Sequence, residues 1–476
     1  MLGIVVDSQS NHTLADQIVS SVRQRIDDRV LRHGMRLPPI RGMAESLGVS
    51  RFTVVEAYDR LVASGVVASR RGSGFYVNSG SAGARSVDAV RARSVTGEPA
   101  IERTIERAFD NADVMRESLA DDPARLKVGA GWLPAGWLDE DGLRKRLRAL
   151  AGRERLRLVC YGEPQGYRPL REQLQVRFDS FGIDAPPDRI LLTHGATQAL
   201  DLIARTLLRP GDCALVDDPG YWNFFASLRL LGVRLIGVPR TPDGPDVAAL
   251  EALLVEHRPK VFITHSVLHN PCAGNLSPTV AHRILQLAAR FDLTIVEDDT
   301  YADYFSGHAT RLAALDGLDR VIYVGSFSKT LSANFRVGFL AARPDLLRTL
   351  TDVKIFTSVG SSEFAERLIY DMLVEGHYRK TIDRLRGRLA GAMEGALRQL
   401  EVAGFHVFSE PRGGMFVWAG RPGEDATELA RAAAQQEIVL APGHLFRPQL
   451  QATHFLRFNA AYMEDVRFGT FLQDLP

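Results

Sequence analysis

Residues 326–338 combine several hydroxyl side chains, a lysine and an arginine in one short segment. Ser326 and Ser328 precede Lys329, and Arg336 follows it. Small hydroxyls and a guanidinium bind a phosphate monoester, while a lysine amine condenses with an aldehyde. The segment therefore predicts a site for pyridoxal 5'-phosphate, which carries both groups. The alternative is an amphipathic surface segment with a solvated lysine.

A second set of candidate residues follows two apolar runs upstream. Residues 293–299 form an apolar run that ends in carboxylates, one of which is Asp298, and Tyr301 follows shortly after it. Such a run is typical of a buried parallel strand whose carboxyl end opens on a ligand crevice. A carboxylate there would keep a pyridine nitrogen protonated and make the ring an electron sink. Tyr301 would donate to the ring oxygen, and Asn270 follows the other apolar run, residues 261–264; both would tune the aldimine. Asp298 as a helix N-cap and Asn270 as part of a turn before Pro271 remain open alternatives.

Residues 190–201 indicate a strand, a glycine-containing turn and the start of a helix. The free backbone N–H groups at a helix start suit a phosphate. Gly195 and Ala196 would let the backbone approach the anion closely, and Thr197 adds a hydroxyl. Tyr221 lies just past another turn, where it would either stack on the pyridine face or serve as an ordinary core aromatic.

The order of these residues resembles the fold-type I aminotransferases over nearly all of residues 120–476. That resemblance implies an α/β fold with a mixed, mostly parallel sheet and a smaller C-terminal α+β subdomain. The motifs that carry it are Tyr161-Gly162 with Gly166-Tyr167, residues 195–200, Asn270-Pro271, Asp298 with Tyr301, Ser326-x-Ser328-Lys329, Arg336-Val337-Gly338, Pro411-x-Gly413-Gly414 and Leu456-Arg457-Phe458.

The resemblance also implies roles for individual residues. Tyr161 would reach the phosphate of a neighbouring subunit, which implies a homodimer with shared sites. The family usually has Asn-Pro-Thr-Gly where residues 270–274 are Asn-Pro-Cys-Ala-Gly, so the turn near the cofactor is expected to differ. The other implied roles are Lys329 as the Schiff-base lysine, Asp298 as the pyridinium partner, Asn270 and Tyr301 as ligands of the ring oxygen, Ser326 and Arg336 as phosphate ligands, and Arg457 as the bidentate partner of a substrate carboxylate.

The first eighty residues carry a different pattern, the spacing of a helix-turn-helix in residues 41–61. Gly48 permits the tight turn and Ser50 caps the next helix. Arg51 and Thr53 are expected at its exposed N-terminal end, where a recognition helix meets base edges and phosphates. A helical hairpin for protein contacts is the alternative. The predicted buried face of the second helix comprises Val54, Ala57, Tyr58 and Leu61.

A basic turn follows, in which Arg70 and Arg71 would grip the DNA backbone. The whole order, from Gln17 to Gly74, resembles the GntR-type winged helix, and Arg41 is a further DNA-binding candidate. The family commonly has two small hydroxyl residues where this chain has Pro39-Ile40. Because those hydroxyls often contact phosphate, we expect this chain to bind DNA with lower affinity or to position Arg41 differently.

Composition agrees with two units joined by a small, polar linker. A chain of 476 residues with 45% hydrophobic content exceeds the usual size of one domain. We predict a winged helix-turn-helix over residues 1–79, a linker over 80–99, and an aminotransferase-like body over 100–476. The formal net charge of +1 requires any DNA affinity to be local to the head.

Neither a secretory leader nor a long uncharged apolar run is evident, so a cytoplasmic protein without membrane contact is expected. Cys160, Cys213 and Cys272 are widely spaced and lack the spacing of metal ligands. Reduced thiols and no structural metal are expected.

A DNA-reading head joined to an aminotransferase-like body resembles the MocR subfamily of GntR regulators. The resemblance implies a pyridoxal-phosphate-dependent transcription regulator that binds a double-stranded DNA operator. Its body would sense an amine, an amino acid or the cofactor itself through an aldimine at Lys329. The alternative is a catalytically active aminotransferase with a secondary DNA-binding head, because the groups that transamination needs are present.

Overall fold

The chain forms two compact units, residues 1–96 and 97–476. The linker expected at 80–99, Arg71 and the side chain of Arg70 lie outside the described residues, so the domain boundaries stay a prediction. The computed structural model describes residues 6–7, 13–28, 30–31, 34–63, 66–70, 74–77, 101, 104–105, 115–116, 119–120, 122–152 and 159–475.

The first unit is a helical head with a small hairpin. Gly48 adopts a left-handed φ of 65° and ends one helix, and Ser50 Oγ accepts a hydrogen bond from Thr53 N at 3.0 Å to begin the next. Its described elements are α1 (Leu14–Asp27), α2 (Ile40–Leu47), α3 (Arg51–Ala63), β1 (Val67–Arg70) and β2 (Gly74–Val77), the two strands pairing antiparallel.

Apolar spacing determines which face of α3 the head buries. Val54, Ala57, Tyr58 and Leu61 are fully buried and pack with Ile18 and Val22 of α1. The Tyr58 hydroxyl keeps a polar partner by donating to the Pro38 carbonyl at 2.9 Å. The opposite face of α3 is therefore left to solvent.

The second unit is built on a mixed, mostly parallel sheet. Among the described residues its strand order is β3-β10-β9-β8-β7-β4-β5-β6, with β9, β8, β7, β4 and β5 parallel to one another. The residues of β4, β7, β8 and β9 are almost continuously buried, as expected of strands covered on both faces, whereas β5 is buried at only some of its positions. The strands are β3 (Ile190–Thr193), β4 (Cys213–Asp218), β5 (Arg234–Thr241), β6 (Gly244–Pro245), β7 (Val261–Thr264), β8 (Thr294–Asp298), β9 (Val321–Ser326) and β10 (Gly338–Ala341).

Helices cover both faces of this sheet. Several begin at a side-chain cap, such as Asp246 and Ser277, which accept hydrogen bonds from the first turns. The α-helices described between residues 140 and 374 are α4 (Glu140–Ala151), α5 (Arg168–Asp179), α6 (Gly195–Leu207), α7 (Trp222–Leu230), α8 (Val247–His257), α9 (Pro278–Phe291), α10 (Leu312–Asp316), α11 (Pro344–Ser358) and α12 (Glu363–Val374).

A smaller α+β part follows the long helix α13 (His377–Val402). Its sheet, in the order β11-β12-β14-β13, is antiparallel throughout its described residues. The elements are β11 (His406–Val407), β12 (Phe416–Gly420), α14 (Ala426–Gln435), β13 (Ala441–Pro442), β14 (Phe455–Asn459), α15 (Ala460–Met463) and α16 (Val466–Gln473).

The sheet topology brings distant parts of the sequence to one edge. Because β4, β7, β8 and β9 are parallel, the residues at their carboxyl ends share that edge, where ligands bind in open α/β sheets. No helix within the described ranges combines the length and the apolar composition needed to cross a bilayer.

Candidate functional site

Lys329 lies in the turn that follows β9. The Tyr304 hydroxyl donates to the Lys329 carbonyl and fixes the backbone of that turn. Lys329 Nζ lies 5.8 Å from the ring centroid of Trp132 and 5.9 Å from that of Tyr301. The amine is therefore held between two aromatic side chains.

The electrostatics around Lys329 favour its neutral form. Burial, and after it the nearby guanidiniums of Arg457 and Arg336, together lower the pKa of the Lys329 amine from 10.5 to about 8, against the opposing effect of Asp298. A neutral amine is the nucleophilic form. Lys329 can therefore attack a carbonyl close to neutral pH, which a solvated lysine does poorly.

Arg336 and Ser328 adjoin the start of helix α6. Arg336 Nη1 donates to Ser328 Oγ at 3.1 Å and Nη2 donates to the His194 carbonyl at 3.3 Å. A Cβ at Gly195 would lie 2.6 Å from Arg336 Nη2, so this contact requires glycine there. The helix start and the guanidinium together form an anion-binding corner.

The other residues predicted to bind the phosphate lie at the same corner. Ser326 ends β9, and its Oγ accepts from Ser328 N at 3.1 Å. Ala196 and Thr197 occupy the first turn of α6, Ala196 partly buried and Thr197 exposed. The close approach of β10 to Gly195 also requires Gly338, because a Cβ there would lie 2.5 Å from the Gly195 carbonyl carbon.

Asp298 is the last residue of β8, and its two carboxylate oxygens contact different partners. Oδ1 accepts from Thr300 N at 3.0 Å and from Thr300 Oγ1 at 2.5 Å, which holds the turn after the strand. Oδ2 lies 3.6 Å from His265 Nε2. Tyr301, in the same turn, donates to the Gly131 carbonyl at 3.1 Å, and burial raises its pKa.

Arg457, on β14, reaches Asn270 across the domain. Its Nη1 donates to Asn270 Oδ1 at 2.8 Å and its Nη2 to the Gly129 carbonyl at 2.6 Å. The guanidinium carbon lies 4.6 Å and 4.8 Å from the ring centroids of Phe416 and Phe446. Burial lowers the pKa of Arg457 to about 10, which leaves it cationic at neutral pH.

Two buried donors at this site have no hydrogen-bond partner among the described residues, Arg457 Nε and Asn270 Nδ2. A buried donor without a partner is costly and is expected to face a ligand. An amide N–H suits the ring oxygen of pyridoxal 5'-phosphate, and a guanidinium suits a carboxylate. With the nucleophilic Lys329 and the anion-binding corner at Arg336, the residues present fit this cofactor.

The turn after Asn270 departs from the family sequence and closes nevertheless. Ala273 adopts a left-handed φ of 58°, and its N–H donates to the His269 carbonyl at 2.6 Å. His269 N in turn donates to the Gly274 carbonyl at 2.9 Å. The substitution is accommodated by backbone strain at one residue.

Tyr221 begins helix α7 and lines a small cavity with Asp298, His265 and Phe224. Its hydroxyl accepts a bond from Asn223 Nδ2 at 3.4 Å, and burial raises its pKa. The cavity places the tyrosine beside the carboxylate that ends β8.

Tyr161, in contrast, is 82% exposed, and no hydrogen bond links it to another of these residues within the described part of the chain. The loop that carries it is nevertheless tied down. Buried Lys354 donates to the carbonyls of Pro164 and Leu192 at 2.7 and 2.8 Å, and Tyr167 N donates to Glu366 Oε2 at 2.8 Å.

A buried polar network behind Asp298 was missed by the sequence analysis. Asp217 Oδ2 pairs with Arg240 Nη1 at 2.8 Å and accepts from Thr264 Oγ1 at 2.9 Å. His269 Nε2 lies 3.3 Å from the same oxygen, and the His269 ring meets that of His265 with centroids 5.2 Å apart. The positions of Asp217 and Thr264 near the ends of β4 and β7 are the signal that could have found it.

Charge in this network is concentrated on one ion pair. Burial would raise the pKa of Asp217, but Arg240 and then His269 hold it below its usual value. Burial and Arg240 lower the pKa of His269 to about 3, so this imidazole is neutral at pH 7. Asp217, His265 and His269 could offer three atoms to a metal, yet the Arg240 guanidinium already occupies the carboxylate.

The head presents the predicted DNA-binding side chains on its surface. Arg51 is exposed at the start of α3, while Ser50 Oγ and Thr53 Oγ1 lie 2.8 Å apart and bond to each other. Arg41 pairs with Glu45 at 3.0 Å on the exposed side of α2. The predicted roles of Arg70 and Arg71 fall on side chains outside the described residues.

Comparison with known proteins assigns both parts of the chain. Residues 140–475 match the family of class I and II aminotransferases. Residues 14–77 match the gntR family of bacterial regulatory proteins. The two matches account for the α/β unit and the helical head separately.

The chain is similar both to transcription regulators and to aminotransferases. The probable rhizopine catabolism regulatory protein MocR of Rhizobium meliloti is 30% identical over 454 residues, covering 92% of this chain and 88% of that protein. A 2-aminoadipate transaminase of Thermus thermophilus is 33% identical over 346 residues, covering 70% of this chain and 85% of that enzyme.

Among solved structures, the α-aminoadipate aminotransferase LysN of Thermus thermophilus is similar to this chain with a TM-score of 0.68 and 28% identity. The similarity covers 77% of this chain and 98% of that one. That crystal structure holds N-(5'-phosphopyridoxyl)-L-leucine.

Proposed function

The chain belongs to the MocR subfamily of GntR-type regulators, in which a DNA-binding head precedes a class I and II aminotransferase domain, and we propose that its body senses an amine or amino acid at Lys329. It is a DNA-binding transcription regulator that uses pyridoxal 5'-phosphate. The observation that carries the proposal is the buried Lys329 amine, whose pKa of about 8 makes it reactive near neutral pH.

Pyridoxal 5'-phosphate, when bound, supplies an aldehyde that condenses with amines and a ring that withdraws electrons. Gly195, Ala196, Thr197, Ser326, Ser328 and Arg336 would hold its phosphate at the start of α6. Asp298 would hold a proton on the ring nitrogen, and Asn270 and Tyr301 would donate to the ring oxygen, with Tyr221 packing against the ring.

The effector is inferred to be a carboxylated amine. Arg457 carries a buried cation that is flanked by two aromatic rings, and its Nε has no partner among the described residues. A carboxylate that pairs with it would orient the amine of the same molecule toward Lys329. Bound effector alters DNA binding only as far as it favours one state of the body over another.

A homodimer with shared sites is part of the proposal. Tyr161 is exposed in its own chain, and the Lys354 contacts that fix its loop give it a defined position at the surface. Mixing the variants Tyr161→Ala and Lys329→Ala tests this. Sharing predicts that mixed dimers regain one site with native cofactor affinity, whereas separate sites would regain none.

The deciding experiment follows the visible absorption of the cofactor-loaded protein while amines and amino acids are added, with keto-acid product assayed in the same samples. A spectral change without product, accompanied by a change in DNA binding, supports the sensor. If cofactor alone changes the DNA binding of cofactor-free protein and no amine does, the cofactor itself is the effector.

An active aminotransferase is the second candidate, favoured by the similarity to a 2-aminoadipate transaminase and by the combination of Lys329 as proton carrier with Arg457 as carboxylate partner. Rapid formation of keto acid with each spectral change would establish turnover and make the DNA-binding head secondary.

A further inference from the structure

The recognition helix α3 carries an aromatic side chain that the core of the head does not use. Phe52 is 83% exposed, whereas Val54, Ala57, Tyr58 and Leu61 on the other face of the helix are fully buried. Single exposed apolar side chains are common on protein surfaces, so it is the position of Phe52 that singles it out: it lies in the first turn of the helix that a winged helix places against DNA.

Most polar side chains around Phe52 are already paired within the head. Ser50 and Thr53 bond to each other across 2.8 Å at the start of the helix. Arg60 bridges Glu56 at 2.5 Å and Asp16 at 2.6 Å. The two hydroxyls at the N-terminal end of α3 therefore bond to each other in the head, whereas Arg60 is paired in the last turn of the helix.

Arg51 and Phe52 are the two exposed side chains of the first turn of α3. Val55 lies three residues after Phe52 and is partly buried, so the two form a short apolar strip on one side of the helix. A recognition helix places such N-terminal side chains against base edges in the major groove.

We propose that Phe52 reads the 5-methyl group of a thymine in the major groove of the operator, with Val55 extending the contact. The thymine methyl is the one apolar feature of the major-groove edge, and phenylalanine is among the side chains that contact it. Arg51, beside Phe52, supplies the adjacent guanine or phosphate contact. The proposal rests on DNA binding by the head and adds base preference to it.

The size and setting of the strip favour DNA over a protein partner. A stable protein interface buries about 1,000 Å² or more. One phenylalanine flanked by Arg51 and by the paired charges of Glu56 and Arg60 provides only a small part of such an area. A single side chain is enough to contact the methyl group of one thymine.

The test uses full-length, cofactor-loaded protein and a pool of randomised DNA duplexes, from which the wild-type protein selects its preferred sequence. Each selected thymine is then replaced in turn by uracil, which lacks only the methyl group. Affinities of the wild type, Phe52→Ala, Phe52→Leu and the control Val30→Ala are measured. Val30 is also an exposed apolar residue of the head, at 60% exposure, but lies outside α3.

For at least one thymine in each half-site, uracil is expected to weaken wild-type binding by about fourfold, the effect of one lost methyl contact. Phe52→Ala should bind thymine and uracil alike at that position, Phe52→Leu should retain part of the preference, and Val30→Ala should match the wild type. Unchanged thermal unfolding shows that each variant is folded.

Three outcomes would overturn the proposal. Wild type could show no methyl effect at any position, or Phe52→Ala could keep the effect in full. Alternatively, Phe52→Ala could weaken binding to every duplex equally while changing the sedimentation mass, which would assign Phe52 to a protein contact. Failure of the wild type to select any sequence would refute DNA binding by the head itself.

Discussion

The lowered pKa of Lys329 predicts when the body can take up its cofactor. An ordinary lysine amine has a pKa of 10.5, whereas burial, Arg457 and Arg336 bring that of Lys329 to about 8. Only the neutral amine attacks an aldehyde, so the rate of uptake rises with pH through the pKa and is flat above it. At pH 8 about half of the amine is neutral, against about 0.3% for an unperturbed lysine, so the fraction in the reactive form is about 160-fold larger.

Stopped-flow mixing of cofactor-free protein with excess pyridoxal 5'-phosphate measures this rate through the growth of the visible band. The plot of rate against pH should show a midpoint near 8. Arg457→Gln should move the midpoint upward, since it removes a cation that disfavours the charged amine. Lys329→Ala should give no band, although buried Lys354, whose pKa is also about 8, remains.

A midpoint near 10.5 in the wild type would refute the argument, because it would mean that the amine is solvated. A band that persists in Lys329→Ala would assign the attachment to another lysine. The first result would mean that the environment of Lys329 is wrongly described, and the second that Lys329 is not the lysine that binds the cofactor.

Three further predictions concern the effector, the operator and the core. Arg457→Ala should weaken responses to carboxylated amines by about 100-fold, the value of a charge-assisted pair, and spare simple amines; equal loss for both would show that the guanidinium has no carboxylate role. Arg51→Ala should cost about 1 to 3 kcal/mol of specific DNA binding, measured on the selected duplex, and unchanged affinity would contradict its placement. Arg240→Met should lower the free energy of unfolding by about 3 to 5 kcal/mol in urea titrations, because it leaves Asp217 charged and unpaired in the core. Its matched control, Arg290→Met, removes an exposed ion pair and should cost less than about 1 kcal/mol; similar losses in the two variants would mean that the buried pair is solvated.

The sequence predicted the parts of the site that depend on local order. Ser326 ends a strand, Ser328 and Lys329 follow it closely, and Gly195 begins a helix, so their chemistry could be inferred from neighbours in the chain. The fold class, which the resemblance to fold-type I aminotransferases implied, was confirmed by the mixed, mostly parallel sheet.

The remaining features depend on packing between residues far apart in sequence. Asp217, Arg240 and His269 lie on three separate segments, and only the order of β5, β4 and β7 in the sheet brings them together. The exposure of Phe52 likewise depends on which side of α3 the head covers. The assigned roles of the site residues stay predictions until the variants above are measured.

The size of a regulatory effect can be related to these contacts. A hundredfold change in operator affinity corresponds to about 2.7 kcal/mol of coupling. One charge-assisted pair between an effector carboxylate and Arg457 is worth a comparable amount if it forms in only one state of the body. A single buried cation therefore suffices to couple the effector to DNA binding. Loss of Arg457 should consequently weaken the response to carboxylated effectors by about 100-fold while leaving the basal affinity for the operator unchanged.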